Sequence, residues 1–238
     1  MLGKTILITG ASQGIGEAMA RYYSSLGANI VLLARQKEKL MKIKEELITD
    51  AYVVPFDLSE LEKVEEVFEV CKENGIKLDG MVHCAGVNHD LPIKFNDIAL
   101  MKDAMTINYM SFVELAKYFI KKKYSNSGAS IVAISSTATM FATAGMCTYS
   151  ASKAALEASV KVLAKEDTAR GLRVNAVAPA FVKTKMMEDA AFANEETILR
   201  SQPLGIIEPE YVARVCAFLM SEDAKYITGT VLPITAGC

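Results

Sequence analysis

Short runs of apolar, often β-branched residues alternate along the chain with longer segments in which apolar residues recur every three or four positions. The first pattern is typical of buried strands and the second of amphipathic helices. The predicted strands are 4–9, 29–34, 51–56, 79–83, 129–135, 172–178 and 230–234. The predicted helices are 14–26, 36–48, 59–73, 96–123, 149–168 and 209–221, with a turn at 125–128.

Strands that alternate with helices in this way form right-handed βαβ units and a parallel sheet. We therefore predict an α/β protein, a Rossmann-type doubly wound sandwich whose seven-stranded, mostly parallel sheet carries helices on both faces. The 238 residues fit one domain of this class, and no Gly/Ser-rich linker divides them. We predict a single dinucleotide-binding and catalytic domain over residues 1–238.

Composition narrows the range of functions. The chain is 51% hydrophobic and carries a net charge of −2, so no excess of cations is present to neutralise a nucleic-acid backbone or an anionic membrane. No apolar run reaches the length of about 18 residues that a transmembrane helix requires. Five cysteines and two histidines show no metal-site spacing. We expect a cytoplasmic protein with reduced thiols, without a metal, membrane or nucleic acid as partner.

A glycine-rich turn follows the first predicted strand and opens the first predicted helix. It reads TGASQGIG, with glycines at 10, 14 and 16 and Ser12, Gln13 and Ile15 between them. Missing side chains allow a tight turn and a close approach of the backbone to a pyrophosphate at the helix N-terminus. An ordinary glycine-rich turn is the alternative. The position of this glycine turn, at the junction of the first strand and the first helix, favours a dinucleotide site.

The end of the second predicted strand bears on the choice of dinucleotide. An acidic residue there would hold the ribose hydroxyls of NAD, but the chain has Ala34 and Arg35. The guanidinium of Arg35 can pair with a 2′-phosphate, with help from Lys37 or Lys39. NADP(H) is favoured and NAD(H) is not excluded, since Arg35 could instead begin a solvated helix.

Tyr149 and Lys153 lie four residues apart at the start of a predicted helix, so their side chains share a face. Moving a tyrosine pKa by roughly 3 units towards neutrality needs about 4 kcal/mol. An ammonium at about 5 Å supplies roughly 3 kcal/mol of this at an effective dielectric constant near 20. The pair is therefore a candidate acid–base centre. Taken alone, the same spacing is common on solvated helix surfaces.

The complete set of motifs resembles the short-chain dehydrogenase/reductase family over residues 4–237, in particular its 3-oxoacyl-[acyl-carrier-protein] reductases. The order and spacing of the motifs match. They are TGASQGIG at 9–16, Asp57-Leu58, Ala85-Gly86, Asn108, Ser136, YSASK at 149–153, RVNAVAP at 173–179 and Val182-Lys183-Thr184.

The resemblance implies that Tyr149 protonates a carbonyl oxygen during hydride transfer while Ser136 hydrogen-bonds the same oxygen. It implies two tasks for Lys153, which lowers the pKa of Tyr149 and binds the nicotinamide ribose. Asn108 would hold a water that links Lys153 to a proton path. Ser135 is the rival to Ser136, and the thirteen-residue spacing to Tyr149 favours Ser136.

Further cofactor contacts are implied by the same resemblance. Asp57 would meet the adenine amino group, although capping the next helix is its ordinary alternative. Leu58 would line the adenine pocket, and Ala85 and Gly86 would back the adenosine ribose. The remaining implied cofactor residues are Tyr149, Pro179, and Val182 and Thr184 at the carboxamide.

The chain departs from the family pattern at several places. His83-Cys84 stands where many members carry Asn-Asn, Ala180 stands where Gly is usual, and residues 235–237 replace a common Asp-Gly-Gly. None of these changes removes a catalytic group. Arg170 matches a carrier-binding cation of the acyl-carrier-protein reductases, whereas Ser127 occupies their second basic position.

Substrate identity is the least determined property. Residues 183–202 resemble the family's substrate lid, and its Met186, Met187 and Phe192 indicate an apolar pocket that Met140, Phe141 and Met146 would extend. The first hypothesis is NADPH-dependent reduction of a 3-oxoacyl-thioester-like ketone, free or carrier-linked. The alternatives are a sugar, polyol or steroid alcohol dehydrogenase and a non-catalytic dinucleotide sensor. Small residues along the predicted helix 149–168 would allow close packing against another helix. Members of the family usually pair their long helices into dimers and tetramers, so we predict a homotetramer.

Overall fold

The computed structural model describes residues 1–166, 168–188 and 195–238. Seven strands form one sheet in which every neighbouring pair runs parallel, in the order β3-β2-β1-β4-β5-β6-β7. The strands are β1 (Thr5–Thr9), β2 (Asn29–Ala34), β3 (Ala51–Pro55), β4 (Leu78–His83), β5 (Ser125–Ile134), β6 (Arg173–Pro179) and β7 (Val231–Ile234). The single-sheet α/β fold predicted from the sequence is confirmed.

Helices cover both faces of this sheet. In the described residues they are α1 (Gly14–Ser25), α2 (Lys37–Glu46), α3 (Val64–Glu73), α4 (Ile98–Met105), α5 (Ser111–Phe119), α6 (Cys147–Glu166), α7 (Lys185–Glu188), α8 (Glu195–Ser201) and α9 (Pro209–Met220). None of the described helices has the length and apolar character needed to cross a bilayer.

Two apolar cores lie on opposite faces of the sheet. Phe68, Phe112 and Leu156 bring α3, α5 and α6 onto one face, and each is completely buried. Met19 and Leu219 bring α1 and α9 onto the other face. Because the strands are covered on both sides, they are continuous apolar runs rather than alternating ones.

The structure corrects the predicted continuous helix over 96–123. The α-helical pattern begins at Ile98, is interrupted by a π-helical turn at Thr106–Met110, and resumes as α5 until Phe119. The amide of Ser111 donates to the carbonyl of Thr106, five residues back. Apolar spacing cannot reveal one residue of extra winding, because the helix face continues on both sides of it.

The predicted turn at 125–128 is also wrong, because these residues begin β5. Its register with β4 shifts between the pairs Leu78–Ser125 and Gly80–Ser130, so the polar stretch forms an irregular strand entrance. The guanidinium of Arg170 holds this entrance by donating to the carbonyls of Ile120, Ser125 and Asn126. The sequence reads as a turn because its polar residues lie at the exposed end of a long strand.

The strand order reverses direction between the neighbouring strands β1 and β4. From β1 the chain continues to β2 and β3 on one side, and from β4 it continues to β5, β6 and β7 on the other. Open parallel sheets bind ligands in the crevice at the carboxyl ends of strands beside such a switch point. The glycine turn after β1 and the segment after β4 both lie at this crevice. The fold therefore places the two halves of the candidate site next to each other.

Candidate active site

A cavity of about 1210 Å³ opens at the carboxyl edge of the sheet. It extends from the glycine turn past β4 and β5 to α7 and α8. The cavity gathers fifteen of the sixteen predicted cofactor residues, and Gly16 lies behind it. They are Gly10, Ser12, Gln13, Gly14, Ile15, Arg35, Asp57, Leu58, Ala85, Gly86, Tyr149, Lys153, Pro179, Val182 and Thr184.

The glycine turn is shaped so that side chains would not fit. Gly10 has a φ of +65°, and a Cβ there would lie 2.9 Å from the backbone nitrogen of Ala85. Gly14 has a φ of +59°, and its Cβ would lie 3.2 Å from the methyl group of Thr184. At Gly16 a Cβ would overlap the carbonyl oxygen of Gly10. The turn leaves a bare backbone cradle at the N-terminus of α1, which fits the pyrophosphate of a dinucleotide.

Arg35 follows β2 at one end of the cavity and is exposed. Asp57 follows β3 and is close enough to Arg35 to be affected by its positive charge. The pKa of Asp57 is lowered, first because its carboxylate accepts a hydrogen bond from the backbone amide of Ser59 at 2.9 Å and additionally because of the positive charge of Arg35. Asp57 therefore closes a local turn before the next helix and lines the cavity at the same time.

The predicted catalytic side chains come together at the other end. Ser136 follows β5, and Tyr149 and Lys153 lie one turn apart on α6. The hydroxyl of Ser136 accepts a hydrogen bond from the amide of Ala138 at 3.1 Å and opposes the effect of burial on the pKa of Tyr149. The ammonium of Lys153 lies 5.7 Å from the centre of the tyrosine ring. All three line the cavity. Residues that are separated in the sequence, Ser136, Tyr149 and Lys153, are thus close together in the cleft.

Tyr149 differs from the expectation of a lowered pKa. Its burial raises the pKa to about 12, Ser136 opposes the rise, and the negative charge of Asp90 adds to it. Desolvation of the phenolate outweighs the attraction of the nearby ammonium. The phenol is consequently held in its protonated form at neutral pH.

Lys153 is a buried cation with one fixed partner. Its Nζ donates to the carbonyl of Ile134 at 2.8 Å. A Cβ on Gly86 would lie 3.3 Å from that nitrogen and 3.3 Å from Oδ1 of Asn108, so the glycine leaves room for both side chains. Burial lowers the pKa of Lys153 to about 8, and the field of Glu157 opposes this. The ammonium form is still dominant at neutral pH.

Asn108 occupies the π-helical turn and is completely buried. Its Oδ1 accepts from the amide of Val87 at 2.8 Å, and its Nδ2 donates to the carbonyl of Val87 at 2.9 Å and to the hydroxyl of Ser152 at 2.8 Å. The amide side chain therefore clamps the segment after β4 to the residue that precedes Lys153. It lies behind the cavity wall rather than in it.

The structure separates the two serines that the sequence could not. Ser135 donates its hydroxyl to Glu157 at 2.6 Å, and Thr139 donates to the same carboxylate oxygen at 2.9 Å. The Ser135 hydroxyl is thus used to anchor the end of β5 to α6. Ser136 is the serine whose hydroxyl acts on the pKa of Tyr149.

Two polar cavity residues were missed by the sequence analysis. Asn88 and Asp90 follow β4, and each has a buried side-chain oxygen without a hydrogen-bond partner in the described part of the chain. Burial raises the pKa of Asp90, and its negative field reaches Tyr149. Their position just after the carboxyl end of a central strand is a signal that could have identified them.

The apolar wall of the cleft matches the prediction in part. Phe141, Met146, Met186 and Met187 line the cavity, and Met140 is exposed outside it. Within the predicted lid at 183–202, α7 and α8 are described, whereas Phe192 lies outside the described residues.

Arg170, which the sequence matched to a carrier-binding cation, lies at the entrance of β5. Arg170 donates from Nη2 to the carbonyls of Ser125 at 2.8 Å and Asn126 at 3.3 Å, and from Nη1 to Ile120. Its described contacts are thus made within the chain, at the entrance of β5. Backbone carbonyls at that entrance need donors, which explains a cation at this place without a carrier.

Comparison with known proteins agrees with this geometry. A family model described as "Enoyl-(Acyl carrier protein) reductase" matches residues 10–238. The 3-oxoacyl-[acyl-carrier-protein] reductase FabG of Rickettsia felis is 36% identical, over 100% of this chain and 97% of the relative. Carbonyl reductase family member 4 of Danio rerio is 33% identical, over 99% of this chain and 98% of the relative.

Solved structures share the whole fold. A short-chain dehydrogenase/reductase of Brucella melitensis, described as a glucose/ribitol dehydrogenase, superposes with a TM-score of 0.94 at 26% identity, covering 100% of this chain and 97% of the other. A dehydrogenase/reductase of Sinorhizobium meliloti gives 0.92 at 29% identity, with coverages of 100% and 95%. The family model over residues 10–238, the full-length relatives at 33–36% identity and the shared fold place the chain in the short-chain dehydrogenase/reductase family.

Proposed function

We propose that the protein reduces the ketone of a 3-oxoacyl thioester to a secondary alcohol with NADPH, and that Tyr149 is the general acid. One observation carries this proposal. The side chains of Ser136 and Tyr149 line the same cavity that contains the glycine cradle, so a carbonyl and a dinucleotide can be bound side by side. The names of the 33–36% identical relatives support a carbonyl substrate.

The two hydroxyls perform complementary tasks. Ser136 donates a hydrogen bond to the carbonyl oxygen and orients it towards Tyr149. A bound nicotinamide dinucleotide supplies the hydride. Because burial raises the pKa of Tyr149 to about 12, the phenol still carries its proton at neutral pH and delivers it to the oxygen as negative charge develops there.

Lys153 then acts on the tyrosine rather than on the substrate. Loss of the proton would leave a buried phenolate, and the ammonium 5.7 Å from the ring centre stabilises it. The carbonyl of Ile134 fixes the direction of the ammonium. The Nζ of Lys153 lies next to Gly86, and a Cβ at that position would be only 3.3 Å from it. The missing side chain therefore leaves space for Lys153 to reach the ribose of a bound dinucleotide.

Arg35 supports NADPH over NADH. The guanidinium stands exposed at the cavity end of β2, where an acidic residue would hold the two hydroxyls of an NAD ribose. The cavity-lining carboxylate near it is Asp57, whose carboxylate is already committed to the amide of Ser59. The guanidinium of Arg35 could therefore bind the 2′-phosphate of NADPH with two hydrogen bonds. The end of β2 has no carboxylate that would repel this phosphate.

The shape of the cleft favours recognition of the thioester itself. Phe141, Met146, Met186 and Met187 give the substrate end an adaptable apolar wall. Because the contacts of Arg170 hold the entrance of β5, we do not assign it a carrier. Free 3-oxoacyl thioesters should thus be substrates as well as carrier-linked ones.

A second candidate function is the oxidation or reduction of a sugar or polyol. Asn88 and Asp90 place two buried, unpartnered oxygens on the described cavity wall, and these would suit hydroxyl donors on a substrate. The Brucella melitensis structure described as a glucose/ribitol dehydrogenase adds support. Polyols and hydroxylated ketones therefore belong in any substrate test.

We further propose a homotetramer in the cytoplasm. Helix α6 exposes the small side chains of Ala151, Ala154 and Ala158 in the single chain, which leaves a face against which another helix could pack closely. All five cysteines are free, which suits a reducing compartment.

The first experiment measures cofactor binding and then turnover. NADPH and NADH are titrated by fluorescence, and oxidation of the preferred cofactor is followed with acetoacetyl thioesters, enoyl thioesters, simple ketones and hydroxylated ketones. The proposal predicts tighter binding of NADPH and turnover of the 3-oxo thioester. Turnover of only hydroxylated ketones would establish the second candidate, turnover of only enoyl thioesters would contradict both, and binding without any turnover would favour a sensor.

A further inference from the structure

Glu157 is a half-buried acidic residue on α6 to which the proposed reaction assigns no task. It lies one helical turn after Lys153, which itself lies one turn after Tyr149. Residues four apart share one face of a helix, so these three side chains form a row along α6. Glu157 lies outside the cavity wall, at the end of that row.

Two hydroxyls from the segment that carries Ser136 converge on one oxygen of Glu157. Ser135, which is 2% exposed, donates to Oε1 at 2.6 Å, and the hydroxyl of Thr139 lies 2.9 Å from the same oxygen. Ser135 directly precedes Ser136, and Thr139 ends the short 3₁₀ turn that follows it. Glu157 therefore holds this segment to α6 on both sides of Ser136.

The conformation of Ser136 is fixed within its own segment. Its hydroxyl accepts from the amide of Ala138 at 3.1 Å, and its carbonyl accepts from the amide of Thr139 at 3.2 Å. On the strand side, the amide of Ser135 donates to the carbonyl of Val177 at 2.7 Å. These bonds orient the Ser136 hydroxyl relative to its turn and to the sheet. Its position relative to the helix of Tyr149 depends on how the segment is attached to α6.

Glu157 also provides a negative charge near Lys153. The other titratable groups that act on or face this lysine are Cys84, His83 and Tyr149. Burial raises the pKa of Cys84 and of Tyr149 to about 12 and lowers the pKa of His83 to about 3, so all three are neutral at neutral pH. Burial lowers the pKa of Lys153, and the charge of Glu157 opposes this effect.

We propose that Glu157 is a positioning residue, whose carboxylate sets the place of the Ser136 hydroxyl relative to the phenol of Tyr149. The proposal rests on the function proposed above. A carbonyl oxygen must reach both hydroxyls at the same time, and a misplacement of about 1 Å can lower a rate about a hundredfold. Glu157 acts through Ser135 and Thr139, without touching the substrate or the dinucleotide.

The consequence concerns the rate more than the binding of the cofactor. The glycine cradle follows β1, which lies two strands away from β5 in the sheet. Loss of the Glu157 contacts would displace the segment after β5 and leave the cradle in place. We therefore expect slower proton delivery with an almost unchanged affinity for NADPH.

Crystal structures of the intact wild type and of Glu157→Ala test the placement without any substrate. We expect the hydrogen bond between Ser135 and Glu157 in the wild type, and a displacement of residues 135–139 from α6 in the variant. Glu157→Gln retains a side-chain oxygen that can accept from Ser135, and should keep the wild-type placement. An unchanged segment in Glu157→Ala would overturn the proposal.

Kinetics with NADPH and a 3-oxoacyl thioester tests the consequence. Glu157→Ala should lower kcat at least about tenfold, with less than about a twofold change in the Kd for NADPH. Glu157→Gln should recover most of kcat. Without the negative charge, however, Lys153 loses its proton more easily, so kcat/KM should decline at a lower pH than in the wild type. Glu166→Ala removes an exposed carboxylate at the end of the same helix and should leave kcat unchanged.

A double-mutant cycle separates positioning from a general weakening of the fold. Ser135→Ala removes the donor that lies 2.6 Å from Glu157. Because the two residues act through one hydrogen bond, Ser135→Ala combined with Glu157→Ala should lower kcat by less than the product of the two single losses. Fully multiplicative losses, an unaltered kcat in Glu157→Ala, or equal losses in Glu157→Ala and Glu157→Gln would refute the positioning role.

Failure of the proposed function itself would look different. In that case the wild-type protein would reduce no carbonyl. The crystal structures would still show whether Glu157 determines the place of Ser136.

Discussion

Lys153 and Tyr149 show how burial sets the chemistry of single residues in this cleft. Burial disfavours the charged form of each group, so the lysine pKa falls to about 8 and the tyrosine pKa rises to about 12. Both shifts leave the pair as a cation and a neutral phenol at neutral pH. That combination suits a proton donor with a charge ready to stabilise the phenolate left behind.

The pH dependence of reduction follows from the lysine. Because its pKa is lowered from the ordinary value to about 8, Lys153 is cationic below that pH and loses its charge above it. We predict that kcat/KM for ketone reduction declines as the pH rises through about 8, measured at fixed ionic strength with saturating NADPH. A profile that stays flat well above that pH would show that the ammonium is not required.

Asp90 supplies a second test at this scale. Its negative field raises the pKa of Tyr149. We therefore predict that Asp90→Asn lowers that pKa, so that alcohol oxidation, which needs the deprotonated tyrosine, reaches its maximum at lower pH. Asp103→Asn is the matched control, because Asp103 also lines the cavity but is bound to His89. Equal profiles for Asp90→Asn and the wild type would contradict the assignment.

At the scale of elements, the sequence predicted the features that repeat and missed the local irregularities. Each parallel strand is a short apolar run, so all seven were located, and the helix that carries Tyr149 and Lys153 was predicted close to its observed bounds, Cys147–Glu166. The π-helical turn at Thr106–Met110 and the irregular start of β5 were missed, because neither changes which face is apolar. The pKa of Tyr149 could not be predicted either, since its depth in the cleft wall depends on the packing of β4, β5 and α6.

The close contact between α1 and β1 predicts the effect of one added methyl group. In Gly16→Ala the Cβ would overlap the carbonyl oxygen of Gly10, so the helix must move away from the cradle. We predict a loss of about 2 kcal/mol of stability and a much weaker affinity for NADPH, measured by thermal unfolding and by fluorescence titration.

Gly128→Ala is the comparison for this change. Gly128 has a φ of +75°, so alanine would cost about 1–2 kcal/mol in strain, but nothing lies within 4 Å of the added methyl group. It should lower stability and leave the NADPH affinity unchanged. If both variants bound NADPH like the wild type, the glycine turn would not be the dinucleotide cradle.

At the scale of the whole molecule, the exposed small side chains of α6 are the basis of the proposed tetramer. Ala154 is one of them. We predict a sedimentation mass of about four chains at micromolar concentration, and a smaller assembly for Ala154→Arg, whose long side chain would prevent close helix packing. A wild-type monomer under these conditions would refute the proposed tetramer.

The whole molecule also brings together residues that are far apart in sequence. The cradle follows β1, Ser136 follows β5, and Tyr149 lies on α6, yet all of them line one cavity. The proposed reaction depends on this convergence, because the dinucleotide and the carbonyl must be adjacent while a protonated tyrosine faces the oxygen.

The most direct test compares the wild type with Tyr149→Phe on a 3-oxoacyl thioester at saturating NADPH, following cofactor absorbance and identifying the product. We predict that the wild type forms the 3-hydroxy thioester, and that the variant still binds NADPH but loses at least about a hundredfold in kcat. Comparable turnover by the variant would contradict the assignment of Tyr149 as the general acid.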